Sequence, residues 1–461
     1  MSDGGTRNDD SQQPGMGSIQ DAPDIARKIQ RRVVNLVPRV RRLKQAATEG
    51  MRKLRRGRHV IDFFHQVDDP YSDLALQAIS DLRDRYDIDF RFHLVGQADR
   101  LFAPEPTMLA DYARIDCGQV APHYQLEFPK NTTRPDVEDV RRVESMLASL
   151  RHDPRFVDIG IEAGSALWNQ DAEALDKLAE RVTSAPDAEV TSALEAGNKL
   201  RARRGHYSGG MFLYTGEWYW GVDRLHHLER RLIAYGATRD GREAQIRFDR
   251  PPLDPGSNAN DGRLTLEIYP SLRSPYTAMI FDRSIALAEE VGIPVEIKPV
   301  MPMVMRGVPA PGAKGMYIMM DALREAEFLG VPFGDMYDPI GKPVERGFSL
   351  WPFAQENGRG AEFISSFLRV AFAEGRPTGS DEGLERVVRD AGLDWAEARE
   401  VVDNSDWREI LEANRQEMYD ELGAWGVPSY RLRGPSGEAD LSVWGQDRLW
   451  LVAAEIRRRL T

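Results

Sequence analysis

Two stretches of this chain are built alike, and together they restrict its fold more than any other feature. His59 to Leu76, HVIDFFHQVDDPYSDLAL, and Arg263 to Ala278, RLTLEIYPSLRSPYTA, each read as a short strand, a turn and a helix start. In the later stretch Leu264, Leu266 and Ile268 alternate with Thr265, Glu267 and Tyr269, the period of a strand. Ser274 then stands at an N-cap with Pro275 at the first helical position, the residue types that best open a helix. Asp69-Pro70-Tyr71 holds the place of Ser274-Pro275-Tyr276 in the earlier stretch. Such a helix start presents unpaired N–H groups and partial positive charge, and favours an anion such as a thiolate. Taken alone, a Ser-Pro pair is only a cap.

The two stretches also continue alike. Ile88 to Leu94 and Val295 to Pro299 read as second strands, giving β-α-β units with a parallel pair. Helical pattern then dominates from Pro104 to about Arg203, with breaks near Pro122, Pro129 and Pro154. In the second half it dominates over Lys314–Gly330, Gly360–Glu374, Ser380–Ala391 and Trp395–Leu422. Ser208 to Leu225 reads as a hairpin turning at Thr215-Gly216 and leading into a helix. Trp220-Gly221-Val222-Asp223-Arg224-Leu225 and Trp444-Gly445-Gln446-Asp447-Arg448-Leu449 differ only at Val222 and Gln446, and both open an apolar-periodic helix. This shared order implies a tandem duplication. The expected boundaries are a tail and basic segment over 1–56, a first domain over 57–240, a linker over 241–261 and a second domain over 262–461.

Charge and cysteine content narrow the function. The chain of 461 residues carries −12 overall, yet residues 25–58 hold thirteen Lys and Arg against Glu49 alone, so the remainder carries about −24. An acidic body argues against nucleic acid. The single cysteine, Cys117, excludes an intramolecular disulfide, a CxxC pair and a cysteine zinc site, and it reads as a core residue. No apolar run has membrane-spanning length and the polar N-terminus is no secretory signal, so a cytoplasmic protein is expected. Met1 to Ala22 reads as disordered. Ile25, Ile29, Val33, Val37 and Val40 then recur at helical spacing among basic residues, and Pro38 is expected to break or kink that helix. The segment reads either as a contact with an anionic membrane surface or as a helix docked on the acidic body. His226-His227 lack further ligand spacing, so no metal is expected.

The order of strand, Ser-Pro-Tyr helix, strand, helical insertion, Gly426-Val427-Pro428-Ser429-Tyr430, hairpin and Trp-Gly-Gln-Asp-Arg-Leu resembles the DsbA-like branch of the thioredoxin superfamily. Within it, residues 262–461 are most similar to 2-hydroxychromene-2-carboxylate isomerases and kappa-class glutathione transferases, and residues 57–240 resemble it more weakly. Lys314 to Asp321 and Leu329-Gly330-Val331-Pro332-Phe333 resemble that group's first inserted helix. The resemblance implies an α/β fold of two tandem thioredoxin-like domains, each with a helical insertion. It implies that Ser274 hydrogen-bonds the sulfur of bound glutathione or another low-molecular-weight thiol, and that Tyr276 and Lys314 belong to the ligand site. It also implies that Pro428 is the cis-proline presenting Val427 to the ligand backbone, with Gln446 and Asp447 holding the γ-glutamyl end.

The first half departs from this pattern, with Asp69 for the serine and Gly210 for the proline. A carboxylate at that cap repels a thiolate, so the first half is expected to pack, dimerise or bind something else. The expected activity is glutathione-dependent isomerisation of, or transfer to, an aromatic or unsaturated acid. The alternative is a non-catalytic thioredoxin-fold binding or scaffold protein.

Overall fold

The computed structural model describes residues 24–239 and 245–461; the expected disorder of residues 1–22 lies outside them. Two separate four-stranded sheets are present, not one continuous sheet. The first comprises β1 (His59–His65), β2 (Ile88–Leu94), β3 (Met211–Tyr214) and β4 (Glu217–Trp220) in the order β2-β1-β3-β4. The second comprises β5 (Thr265–Tyr269), β6 (Val295–Ile297), β7 (Ser429–Arg433) and β8 (Leu441–Trp444) in the order β6-β5-β7-β8. In each, the first strand pairs parallel with the second and antiparallel with the third, and the third pairs antiparallel with the fourth. The β3–β4 turn has positive φ at both Thr215 (46°) and Gly216 (83°), matching the right-handed twist of a two-residue hairpin.

Helices fill the interval between second and third strands in both halves. In the first half these are α3 (Pro106–Val120), α4 (Val137–Leu150), α5 (Phe156–Trp168), α6 (Ala172–Arg181) and α7 (Asp187–Arg203), after α2 (Pro70–Arg85) between β1 and β2 and before the closing α8 (Leu225–Ala234). In the second half α9 (Pro275–Glu290) follows β5. The insertion holds α10 (Gly312–Leu329), α11 (Lys342–Ser349), α12 (Trp351–Glu356), α13 (Gly360–Phe372), α14 (Asp381–Asp390), α15 (Trp395–Val401) and α16 (Trp407–Leu422), and α17 (Leu449–Leu460) closes the chain.

Several sequence expectations are corrected. The segment over Trp395–Leu422 is two helices, parted where Asp403 takes φ 68°. The short α11 and α12, eight and six residues long, were not read from the sequence. In β5, Glu267 and Tyr269 are as buried as their apolar neighbours, because Lys298 and Arg433 pair with Glu267 at 3.1 and 2.7 Å. Pro38 does not break its helix: α1 runs unbroken over Asp24–Leu54. Proline removes one ladder bond there, while Asn35 before it and Arg41 after it are tied to Asp335 and Glu327 of the second half.

Cys117 is fully buried in α3, and burial raises its thiol pKa well above the ordinary value. No helix among the described residues is long and apolar enough to cross a membrane.

Candidate functional site

Ser274 caps α9 as its sequence position predicts. Its Oγ accepts from the Thr277 N–H at 3.1 Å and donates to the Val427 carbonyl at 3.3 Å. That second bond joins the helix start to the loop entering β7, where the Val427–Pro428 peptide is cis. Gly426 is fixed by crowding: a Cβ there would lie 2.3 Å from the Trp444 ring.

Beside this junction lies a cavity of about 1350 Å³ walled by both halves of the chain. Ser274, Tyr276, Lys314, Val427, Gln446 and Asp447 all line it; Pro428 lies behind Val427 and does not. The first half supplies Asp69, Tyr71, Gly209 and Asp223, so the two helix starts noted in the sequence open on one space.

Two buried arginines hold the halves together around this cavity, and each crosses over. Arg448 donates to Asp116 of the first half at 2.7 and 2.8 Å and to Asp223 at 2.8 Å. Arg224 donates to Asp321 of the second half at 2.8 and 2.9 Å and to Asp447 at 2.6 Å. Tyr71 donates to Asp116 and Tyr276 to Asp321, each pair separated by 45 residues. The match extends to Tyr112, edge-on to Trp444 at 5.7 Å, and Tyr317, edge-on to Trp220 at 6.3 Å. Both guanidiniums and the Asp116 and Asp321 carboxylates are desolvated here, Asp223 and Asp447 only partly, and close pairing is what makes their burial tolerable. Burial opposes the charge of Asp447, but Arg224 and then Arg448 outweigh it and hold that carboxyl below its ordinary range. The sequence signalled Arg224 and Arg448 only as part of a repeated hexapeptide; their partners across the halves lie far away in the chain.

Not every expected ligand-binding group is free. Tyr276 is committed to Asp321, and the Lys314 ammonium donates to the Phe102 carbonyl at 2.9 Å. The Gln446 amide donates to Glu325 at 2.7 Å, but its Oε1 is buried with no partner. Ser271 Oγ, Tyr317 OH, Trp425 Nε1 and two guanidinium nitrogens of Arg306 are also buried and unpartnered among the lining residues of the second half. Sequence reasoning missed these four residues, since nothing in their local pattern separates them from core residues.

In the first half Asp69 caps α2, accepting from the Tyr71 N–H at 3.1 Å. The chain entering β3 is held by the same bond as that entering β7: Gly221 N–H to Gly210 C=O and Gly445 N–H to Pro428 C=O, both 2.9 Å. Gly210 takes φ +62° with the start of α2 close against it, a place without room for a side chain. Burial, then Asp68, pushes the Asp69 carboxyl up to about 7. A carboxyl whose folded pKa exceeds its unfolded value costs stability once ionised, so the cost grows from about pH 4 to about pH 7. Asp69→Asn keeps an equally good cap. It should raise the thermal midpoint at pH 8 and leave it nearly unchanged at pH 4, as read by calorimetry.

The pair His226-His227 gains a third neighbour that the sequence did not reveal. Glu325 accepts from His227 at 2.6 Å, and the candidate ligand atoms of the three residues lie within 4.8 Å of one another. The other Glu325 oxygen already accepts from Arg250 at 2.6 Å and Gln446, and Arg224 lies 3.5 Å from the oxygen that His227 holds. A divalent ion would face two guanidiniums at close range, which disfavours metal here.

Residues 265–457 match the DSBA-like thioredoxin domain family, and this part of the chain is a DsbA-like thioredoxin domain. No curated protein matches. Among solved structures, a 2-hydroxychromene-2-carboxylate isomerase is similar at 18% identity and TM-score 0.36, over 42% of this chain and 95% of that one. The cytosolic disulfide reductase DsbM from Pseudomonas aeruginosa is similar at 21% identity and TM-score 0.33, over 43% of this chain and 100% of that one. A DsbM structure with GSH is similar at 20% identity and TM-score 0.33, over 42% and 99%.

Proposed function

We propose that this protein is a glutathione-dependent isomerase or transferase of the 2-hydroxychromene-2-carboxylate isomerase type, acting on an aromatic or unsaturated acid. The observation that carries the reading is Ser274 at the cavity-facing start of α9, in a chain whose one thiol is buried in a different helix. A site of this shape without its own nucleophilic sulfur suits a thiol brought in by a ligand. We read the two halves as a tandem duplication, supported by their equal strand order, the matched Tyr71–Asp116 and Tyr276–Asp321 bonds and the matched crossing contacts of Arg224 and Arg448. We also assign the protein to a reducing, cytoplasmic setting, where a free thiol persists.

The residues present fit glutathione. The unpartnered Gln446 Oε1 and the paired Asp447 carboxylate suit an ammonium, while the unpartnered donors of Trp425 and Arg306 suit carboxylates. When bound, glutathione would supply a thiolate able to add reversibly to an electrophilic carbon. Ser274 has a hydroxyl proton to donate toward a sulfur anion, and the α9 start adds its partial positive charge. Val427 borders the cavity, and the two tryptophans Trp425 and Trp444, with ring centroids 4.5 Å apart, help wall it.

The direct test is titration of the full chain with glutathione, followed by the fluorescence of those tryptophans and by calorimetry. Saturable binding that weakens in Asp447→Asn is expected; absence of binding at millimolar glutathione removes the reading. The pH dependence adds a second prediction. Burial lowers the Lys314 pKa to about 8. A neutral lysine cannot pair with a carboxylate, so affinity for an acidic ligand should fall as pH rises through about 8. Lys314→Met should remove that part of the pH dependence and leave the part due to the thiol of glutathione itself, measured by the same titration.

A further inference from the structure

Helix α1 is docked with its apolar face outward. At roughly 100° per residue, the residues that meet the body fall on one side of the helix. Arg41 pairs with Glu217 and Glu327, Gln45 donates to Glu217, and Glu49 is buried against Arg52. Val37, on that side too, lines the cavity. Leu36, Val40, Leu43, Ala47, Met51 and Leu54 occupy an arc of about 80° centred opposite the docked side. All six are exposed: Leu36 by 55%, Leu43 by 64% and Leu54 by 78%. Half of the large exposed hydrophobic residues of the described chain lie on this one helix. An amphipathic helix held only by its own protein would present these residues to the body, so burial in the body does not account for the stripe.

The charges beside the stripe identify what covers it. Arg32, Arg39 and Lys44 are exposed along α1 and Arg55 and Arg56 continue the run, while Arg42, Lys53 and Arg58 are exposed but paired with Glu327, with Glu49, and with Asp87 and Asp89. Glu49, the one acidic residue of the helix after Asp24, faces inward and is neutralised by Arg52 at 2.7 Å. We propose that α1 is an interfacial helix by which the protein binds an anionic lipid surface, its apolar stripe entering the headgroup boundary and its cations pairing with lipid phosphates. Interfacial binding draws on both terms, apolar area and charge, and α1 presents both on its free side. The rest of the chain, near −24, is repelled by the same surface, which fixes α1 as the side of approach.

The test is vesicle sedimentation of the full chain at low ionic strength, comparing phosphatidylglycerol–phosphatidylcholine vesicles with pure phosphatidylcholine. Binding to the anionic vesicles is expected, falling with added salt. Leu43→Glu with Leu54→Glu should weaken it by roughly tenfold or more, since both leucines lose their apolar contact. Both positions are exposed, so circular dichroism and the thermal midpoint should stay unchanged. Ile410→Glu, at an exposed apolar residue of α16, should leave binding intact. Equal binding to neutral vesicles, no binding to anionic ones, or binding indifferent to the leucine pair overturns the proposal. So does a dimer by analytical ultracentrifugation that the leucine pair abolishes, because the stripe is then covered by a second copy.

Discussion

Arg448→Met is expected to lower the unfolding free energy by about 3–5 kcal/mol, read by urea denaturation at pH 7. Arg448 is 3% exposed, and Asp116, which takes two of its donors, is 1% exposed. Methionine fills much of the side-chain volume but leaves Asp116 with only the Tyr71 hydroxyl at 2.8 Å and the more distant Tyr112 hydroxyl at 3.3 Å. Asp223 fares better, since it borders the cavity and water can reach it. The cost is therefore concentrated on Asp116. Removing the stranded charge as well, in Arg448→Met with Asp116→Leu, should recover most of the loss, because a buried ion pair replaced whole by apolar groups is often neutral. A loss under about 1 kcal/mol in the single variant would mean that solvent from the cavity hydrates Asp116 and that the crossing pair holds the halves only weakly.

Local pattern and long-range partnership were unequally legible in this sequence. Both β-α-β beginnings, the caps at Asp69 and Ser274, and the Thr215-Gly216 turn could be read because each rests on a few adjacent residues. The burial of Glu267 could not, since strand alternation assigns it to solvent and the cations that reverse that, Lys298 and Arg433 foremost, are remote in sequence. The same holds for Glu325: its helix position is ordinary, yet it gathers His227, Arg250 and Gln446 from three distant segments. For the site, Ser274, Tyr276, Lys314, Val427, Gln446 and Asp447 were named from motif resemblance, and they border one cavity. That the first half would wall the same cavity was not legible, because it depends on how Arg224 and Arg448 exchange partners. The basic segment had two readings; its polar side is docked on the body through Arg41 and Glu327, and its apolar side is exposed.

Ser274→Ala should leave the fold nearly intact and reduce turnover by about 10²–10³-fold, the range found when one donor to a developing anion is removed. The stability cost is that of an N-cap, about 0.5–2 kcal/mol, because Oγ accepts one orphan N–H of α9 and the remaining helix is held by its buried face. The hydroxyl has two roles that the variant separates. As acceptor it caps the helix. As donor it is spent on the Val427 carbonyl at 3.3 Å, a long bond that a sulfur anion can compete for. In Ser274→Ala the pKa of bound glutathione, followed by ultraviolet thiolate absorbance, should rise, since one hydrogen bond to the charged form is gone while the helix start remains. Binding should weaken less than turnover, because the lost bond counts most when charge at sulfur is changing. Ser274→Cys makes the opposite change, placing a thiol of the chain's own at the same cap and against the same cavity. It should compete with glutathione for that position and form a mixed disulfide with oxidised glutathione, detected by mass, with one glutathione thiol released. An unchanged thiol pKa in Ser274→Ala, with glutathione bound, would reduce Ser274 to a helix cap and leave the thiolate unassisted by this residue.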